Sequence, residues 1–534
     1  MGRGPLYSLF MNGSLYRKVG IASIIMMSSV FLSRIIGLFR EAVVAYMGGA
    51  GSQVDAYQLA FLLPEILNHV AATGFLSITF IPIFSSYLAR NMEEEGWRVF
   101  SVILTVFGFL LFLLILAGCL WTDTLVDFIA PGIEDPAVRA LTVRMTCIVL
   151  PAQFFFFAGG LFMAVQFSRE RFFLPALAPL LYNLGIIAGG LVLGPRIGIE
   201  GFAWGVLGGA FAGNFLVQWI GASRIGMKFV PSINVRHPDV RRYFFLTLPL
   251  ILGLTMIFST EVFFRLFGSY MPRGTVAALN YGLRIVFILV GLFGQAVGVA
   301  SYPFMSRLVA QGQMEEMKKL MNRTLTALSL VIPFSVLLIV LRHEVVFLLF
   351  QRGRFDAAAT ALTAHLLPYL LLGAFAFSAQ TIVVRGYYAM QNTLFPALLG
   401  TAAVILSIPF FLAAMDRMGA TGVALGVSLS AFMQVTLLYA IWNRRTKNRE
   451  SGAVYARVGK MILLSIFLGA VVEGMRRFIS SWLNTQTFSG AFASSMVAGL
   501  LFLALLYPAC RALKMDDFLD ILNRPLKKVK ELLF

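Results

Sequence analysis

This chain contains about fourteen apolar segments, each long enough to cross a bilayer as a helix. Charged residues make up 13% of it and mean hydropathy is +0.83, whereas ordinary soluble domains carry about 25% charged residues. Lipid satisfies no backbone group, and the segments are too long for barrel strands. The sequence therefore predicts an all-α integral membrane protein. The predicted spans are 19–47, 56–88, 98–122, 137–166, 174–194, 200–224, 242–270, 275–309, 321–341, 356–388, 394–414, 419–443, 458–478 and 488–510.

Basic residues fall mostly in alternate loops, while the loop 121–136 carries acidic residues instead. By the positive-inside rule, this pattern predicts that the amino and carboxyl termini are both cytoplasmic. The basic residues near Arg342 break the pattern. The first span is too long for a cleavable signal peptide. The net charge of +18 thus reflects membrane topology, and we expect no nucleic-acid partner.

A faint duplication recurs at an offset of about 221 residues. The pattern RxGxxGxAxGV occurs at 196–206 and again at 417–427, and Pro-Ala-Leu occurs at 175–177 and 396–398. An offset of six spans keeps both halves in the same orientation, so we expect parallel repeats with a site between them. The predicted organisation is a cytoplasmic N-terminus 1–18, an N-lobe 19–224, a cytoplasmic linker 225–241, a C-lobe 242–445, two further helices in 446–512 and a basic amphipathic tail 513–534.

Arginines inside the apolar spans are the candidate functional residues. Arg34 lies about 22 Å along its helix, where a lone arginine costs at least about 3 kcal/mol. Arg40 lies on the same helix and Arg284 in the second half. No carboxylate lies one turn from Arg34 or Arg284. A cationic cavity suits an anionic substrate, and the planar guanidinium suits phosphate.

Carboxylates near these arginines are candidates for the cavity or for structural ion pairs. Glu41 adjoins Arg40, but side chains of neighbouring helical residues are expected to point apart. Asp55 is either a cavity residue or a helix cap, and Glu65 is a candidate structural partner for Arg34 or Arg40. A second pair is spaced for a structural ion pair: Glu261 and Arg265.

Several classes of protein are disfavoured. The three cysteines lie in or beside apolar spans and are interpreted as packing residues. The four histidines lack metal-ligand spacing, and no nucleotide-binding Walker A sequence occurs. We therefore expect neither an enzyme nor a metal site or cofactor.

Several sequence blocks resemble the MurJ/MviN lipid II flippase family, part of the multidrug/oligosaccharidyl-lipid/polysaccharide exporter superfamily. They are FLSRIIGLFREAVVAYMGGAGSQVDAYQLAFLLPEIL at 31–67, PALAPLLYN at 175–183, FQRGRFDA at 350–357 and YYAMQNTLFPAL at 387–398. The resemblance implies fourteen helices and export of undecaprenyl-pyrophosphate-linked peptidoglycan precursor across the bacterial inner membrane. It also implies that five residues belong to the central cavity, namely Arg34, Arg40, Glu41, Asp55 and Arg284.

Other positions depart from the family pattern. They are Leu62, Asn68, His69, Thr73 and Leu283. These departures leave open a flippase for another undecaprenyl-linked oligosaccharide. A drug/cation antiporter and a scaffold in wall synthesis are the remaining alternatives. Membrane lipids and cell-wall synthesis proteins are candidate partners, and the membrane potential or an unidentified coupling ion is the candidate energy source.

Overall fold

The computed structural model describes the backbone of residues 5–71, 75–253 and 255–512. Side chains are described within these ranges except at 5–24, 69–71, 75–79, 246–253, 255–261, 296, 299, 300 and 512. Helices dominate this part of the chain, and no strand occurs in it, so the all-α prediction is confirmed. The chain divides into a first unit, Met1–Ile251, and a second unit, Leu252–Phe534.

The first unit contains eleven α-helices, a π-helical turn and most of a twelfth α-helix. They are α1 Pro5–Gly48, α2 Ser52–Ala60, α3 Leu62–Ala71, α4 Phe75–Ala89, α5 Glu93–Leu120, α6 Thr122–Ile129, α7 Pro136–Val149, α8 Ala152–Ser168, α9 Phe173–Ile197, α10 Glu200–Gly209, the π-helical turn Ala210–Leu216, α11 Val217–Arg224 and α12 Pro238–Gly253.

The second unit continues with α13 to α24 and a second π-helical turn. They are α13 Thr255–Ser269, α14 Thr275–Leu289, the π-helical turn Val290–Gln295, α15 Ala296–Ala310, α16 Met314–Leu328, α17 Val331–Val340, α18 Arg342–Phe350, α19 Ala357–Leu372, α20 Ala374–Ala389, α21 Leu394–Met418, α22 Ala420–Thr446, α23 Ser451–Ser480 and α24 Phe488–Ala512.

Within the described ranges, ten helical stretches are long and apolar enough to cross a bilayer, or eleven if α19 and α20 form one bent span. The chain is thus a multi-pass membrane protein. The other three predicted spans, 19–47, 56–88 and 242–270, each include residues outside the description. The count of fourteen therefore stays a prediction, as do the lobe boundaries and the orientation of the termini. The predicted tail 513–534 lies outside the described residues.

The duplication is also seen in where the helices begin and end. Residues 173–197 and 394–418 each form a helix of 25 residues, and 75–89 and 296–310 each form one of 15. Backbone turns with positive φ recur at the same offset. The matched pairs are Asn91 and Gly312, Glu170 and Gln391, Gly198 and Gly419, and Gly226 and Lys447.

Glycines bring α9 and α10 into backbone contact. A Cβ atom built on Gly189 would lie 2.4 Å from the Cα of Gly205, and one built on Gly201 would lie 2.7 Å from the backbone nitrogen of Gly194. The equivalent helices of the second unit approach as closely, since a Cβ on Gly422 would lie 1.9 Å from the carbonyl oxygen of Ala414. The repeated glycine pattern therefore encodes a helix pair in each unit.

The break between α19 and α20 has a specific hydrogen-bonding partner on α22. The two helices are bent by 40° at Gly373. The Ser428 hydroxyl accepts a 3.0 Å hydrogen bond from the Gly373 N–H and donates to the Tyr369 carbonyl at 2.6 Å. Ser428 thus satisfies backbone groups that the bend removes from the helical ladder.

The predicted linker packs along α5. Ser101 donates to the Lys228 carbonyl and accepts from the Val230 N–H, and Thr105 accepts from the Ser232 N–H. Lys228 also forms a 2.9 Å ion pair with Glu94. Side chains of α5 therefore satisfy the backbone groups of this irregular segment.

Candidate functional site

One face of α1 packs against α9 in the first unit. Ser29 donates a hydrogen bond to the Ala176 carbonyl, and Ser33 accepts one from the Asn183 amide at 3.3 Å. Gly37 follows at the same spacing, and a Cβ atom built on it would lie 3.8 Å from the side-chain oxygen of Asn183. Small residues every four positions therefore keep this face of α1 close to α9.

Arg40 lies at the end of this contact. Its guanidinium donates to Oδ1 of Asn183 at 3.0 Å and to Oε1 of Glu41 at 2.5 Å. Asn183 is itself fixed, because its amide donates to the Pro179 carbonyl at 2.9 Å. The Arg40 side chain is 17% exposed and that of Glu41 is 3% exposed. Two acceptors therefore hold the guanidinium at a partly buried position.

The prediction that the side chains of Arg40 and Glu41 point apart is wrong. Adjacent helical residues start in different directions, but the arginine side chain is long enough to return to its neighbour. The carboxylate paired with Arg40 in the structure is thus Glu41. Glu65, a candidate partner from the sequence, is half-buried on α3.

Arg34 lies on a different side of α1, because six residues correspond to a rotation of about 120°. It is exposed, as are the neighbouring Phe31 and Ile35. Among the described residues it has no hydrogen-bond or ion-pair partner. Its guanidinium donors are therefore available to an external anion.

Asp55 is buried in the first turn of α2. The cap of this helix is Gly51, and no side chain caps it, so the reading of Asp55 as a cap is wrong. A carboxylate in the first turn is nevertheless stabilised by the positive end of the helix dipole. Asp55 is thus a buried acid of the first unit, as is Glu41.

Arg284 is half-buried on α14 of the second unit. That helix packs closely on α19, since a Cβ on Gly282 would lie 2.7 Å from Cδ1 of Leu370. Arg265, on α13, is fully buried, and its guanidinium lies 5.3 Å from the centre of the Phe264 ring. The side chain of Glu261 lies outside the described residues, so its ion pair with Arg265 stays a prediction.

The structure also locates the departures from the family pattern. Leu62 and Leu283 are buried apolar residues of the protein core, and Asn68 is half-buried on α3. The side chains of His69 and Thr73 lie outside the description. Leu62 and Leu283 therefore contribute to packing, and their departure from the family pattern stays a prediction.

Two polar residues were missed by the sequence reasoning. Asn183 lies in the block PALAPLLYN, where an amide among apolar residues was the available signal. Arg385 lies inside the predicted span 356–388, where its charge was the signal, and it donates to Oε1 of Gln295 at 3.3 Å. Asp416 lies between the predicted spans 394–414 and 419–443, so the sequence places it in a loop, but in the structure it is exposed in the last turn of α21.

Comparisons with known proteins identify the family. The family model described as lipid II flippase MurJ matches residues 44–492. The chain belongs to the MurJ family. The resemblance noted in the sequence is confirmed, and the family is one of transporters rather than of enzymes.

Relatives cover most of the chain. A probable lipid II flippase MurJ of Rhizobium meliloti is 26% identical over 460 residues, covering 82% of this chain and 83% of that relative. The lipid II flippase MurJ of Burkholderia cenocepacia is 26% identical over 421 residues, covering 76% and 80%. The sequence similarity thus extends over most of the chain and is not confined to a local motif.

Solved structures share the fold. A lipid II flippase MurJ in an inward closed conformation matches with a TM-score of 0.74 at 21% identity, covering 92% of this chain and 99% of that chain. An inward-facing multidrug resistance transporter of the MATE family matches with a TM-score of 0.63 at 13% identity, covering 81% and 99%. The fold is thus shared with drug exporters as well as with MurJ.

Proposed function

We propose that this chain is a flippase that moves lipid II, the undecaprenyl-pyrophosphate-linked peptidoglycan precursor, from the inner to the outer leaflet of the bacterial cytoplasmic membrane. Its family and the names of its relatives support this substrate. The observation that carries the proposal is the pair of arginines on α1. Arg40 is fixed by Glu41 and Asn183, while Arg34 is exposed. A fixed and an available guanidinium on one helix suit a pyrophosphate.

The two arginines have different roles in this proposal. Arg40 is pre-organised by Glu41 and Asn183, so its remaining N–H donors lose little side-chain entropy when the anion arrives. Arg34 supplies unoccupied donors to the phosphate oxygens. Glu41 and Asp55 limit the net charge of the first unit, so that the anion is released after transfer. Arg284 is a separate candidate cation, on α14 of the second unit.

Alternating access driven by the membrane potential is the proposed mechanism. Both termini are cytoplasmic in this scheme. The inside-negative membrane potential drives an anion outward. Two negative charges moved across the membrane would gain about 4.6 kcal/mol per 100 mV. A coupling ion is the alternative source of energy. The one acid in the span range 394–443 is Asp416, so no cation site is assigned there. Cell-wall synthesis proteins are the proposed partners in the membrane.

Complementation tests the proposal. Cells depleted of their own lipid II flippase should grow when they express this chain and should fail with Arg34→Ala or with Arg284→Ala. The matched control is Arg98→Ala, because Arg98 is 75% exposed outside the apolar part of α5. Immunoblots must show equal amounts of each protein in the membrane. Normal growth with both substitutions combined would reject the arginine site.

A second candidate is a flippase for another undecaprenyl-linked oligosaccharide. The buried Leu62 and Leu283 favour it, because they replace charged residues common in the family. Two results together would support this alternative. The well-expressed wild-type chain would fail to restore growth of cells depleted of their lipid II flippase, and it would rescue a strain lacking an oligosaccharide flippase. A drug/cation antiporter would instead require acids in place of the arginines, and a scaffold would tolerate the loss of Arg34 and Arg284.

A further inference from the structure

A polar site lies in the second unit where α20 packs on the π-helical turn and on α15. Ser378, Thr381 and Arg385 follow one another at spacings of three and four, so they share a face of α20. A Cβ on Gly294 would lie 2.8 Å from the Cα of Ser378, and the Thr381 hydroxyl donates to the Gly294 carbonyl at 3.1 Å. The backbone around the site is thus held by close packing.

Gly298 provides the space that the Arg385 guanidinium occupies. A Cβ atom at Gly298 would lie 1.8 Å from Nη1 of Arg385, well inside van der Waals contact. Any larger residue at 298 would displace the charged group from this position. The pairing of a glycine with an arginine therefore defines where the charge lies.

The guanidinium of Arg385 has neutral partners. It donates to Oε1 of Gln295 at 3.3 Å and to the Thr381 carbonyl at 3.4 Å, both beyond the usual length of such bonds. Tyr388 follows Arg385 at a spacing of three on α20, and Tyr302 follows Gly298 at a spacing of four on α15, so each shares a helix face with the residue it follows. Among the described residues, no carboxylate contacts Arg385. A guanidinium has five N–H donors, so most of its binding capacity is unused.

Two other arginines in the spans do contact carboxylates. Arg476, on α23, contacts Glu344 at 2.9 Å and Glu473 at 2.8 Å, and Arg40 contacts Glu41. An unpaired arginine in an apolar helix costs at least about 3 kcal/mol. A ligand anion that reaches Arg385 would remove this cost.

We propose that Arg385, Gln295 and the two tyrosines bind the phosphate group of a membrane lipid. The guanidinium would donate two parallel hydrogen bonds to phosphate oxygens, and the amide and phenol groups would donate others. Arg385 lies one turn before the end of α20 at Ala389, a depth that suits a headgroup rather than an acyl chain. The phosphate belongs either to a phospholipid or to a polyprenyl pyrophosphate.

Native mass spectrometry of the purified full-length chain tests this site. The probes are dioleoylphosphatidylglycerol, dioleoylglycerol (which lacks the phosphate) and undecaprenyl pyrophosphate. Arg385→Gln should lower retention of a phosphate-bearing probe about tenfold or more, as expected for loss of a charge-assisted bidentate contact. Retention of dioleoylglycerol should not change. Gly298→Ala should weaken the same binding, because it displaces the guanidinium but keeps its charge.

The matched control is Arg307→Gln, an exposed arginine on α15 whose loss should leave retention unchanged. If Arg385→Gln lowers retention of dioleoylphosphatidylglycerol alone, the site binds a phospholipid headgroup. If it lowers retention of undecaprenyl pyrophosphate alone, the site binds a polyprenyl ligand. A loss of both supports the shared phosphate site. If Arg385→Gln does not fold, Arg385→Lys replaces it and should show a smaller loss. Equal retention by the Arg385 and Arg307 variants would overturn the proposal.

Discussion

The two units repeat a backbone but not a charge pattern. Asp135 caps α7 through the Ala137 N–H, and Asp356, at the same offset, caps α19 through the Ala359 N–H. By contrast, the position of Arg40 corresponds to Glu261 and that of Asn183 to Val404. Turns and caps are thus common to both units, whereas the charged site around Arg40 belongs to the first. The difference separates residues that both units need for the fold from residues for which we propose a role in ligand binding.

Removing Arg40 should have the largest effect. Arg40→Gln leaves the buried Glu41 without its ion pair, which should destabilise the protein by about 3 kcal/mol or more, and growth in the complementation assay should fail. The double variant Arg40→Gln/Glu41→Gln should restore the protein level but not growth. Thermal unfolding in detergent and immunoblots measure the two effects. Growth with the double variant would show that Arg40 has only a structural role.

Alanine at the paired glycines should damage both units. Gly422→Ala puts a Cβ 1.9 Å from a carbonyl oxygen, and Gly201→Ala puts one 2.7 Å from a backbone nitrogen. Both should destabilise, by about 1–3 kcal/mol or more, with the larger loss for Gly422. The control is Gly208→Ala, where no atom lies within 4 Å and helix propensity predicts a small gain. A fall in melting temperature confined to one unit's variant would contradict a shared packing role.

The paired caps should contribute equally. Asp135 accepts its hydrogen bond at 2.9 Å and Asp356 at 2.8 Å, so Asp135→Ala and Asp356→Ala should each cost about 1 kcal/mol. Asparagine at either position keeps an acceptor and should restore most of the loss. Denaturation midpoints of the four variants provide the measurement. A cost at one cap alone would mean that the repeated backbone is stabilised differently in the two units.

The smallest effect should come from an ion pair that the second unit lacks. Hydrogen bonds from Arg139 hold the pKa of Asp127 below its usual value of 3.8. In the second unit, Thr360 occupies the position of Arg139 and Leu348 that of Asp127, so this ion pair cannot form there. A lowered pKa stabilises the folded state fully above about pH 4 and progressively less as pH falls through the folded value. Melting temperatures at pH 5 and pH 3 should therefore differ slightly more for the wild type than for Asp127→Asn. The same pH dependence in both proteins would exclude this contribution.

Much of the fold could be predicted because it depends on composition and spacing. Apolar length predicted helices, and the repeated glycines predicted the duplication. The site was harder to predict from the sequence, because Asn183 contacts Arg40 from 143 residues away along the chain. No local pattern encodes such a contact. The Arg40–Glu41 pair was missed because helical spacing describes where side chains begin and not where long ones end. Arg385 was overlooked because its partners are neutral, so no charge pattern marks them.

The serine at the bend between α19 and α20 has a consequence for the order of membrane insertion. The Tyr369 carbonyl accepts a hydrogen bond from the Ser428 hydroxyl, whereas the Gly373 N–H donates both to Ser428 and to the Leu370 carbonyl. Ser428 is synthesised 55 residues after Gly373. An unsatisfied carbonyl is costly in lipid, so we expect the segment around Tyr369 to stay in contact with water until α22 has been synthesised. On this basis α19, α20 and α22 should enter the bilayer together rather than one after another.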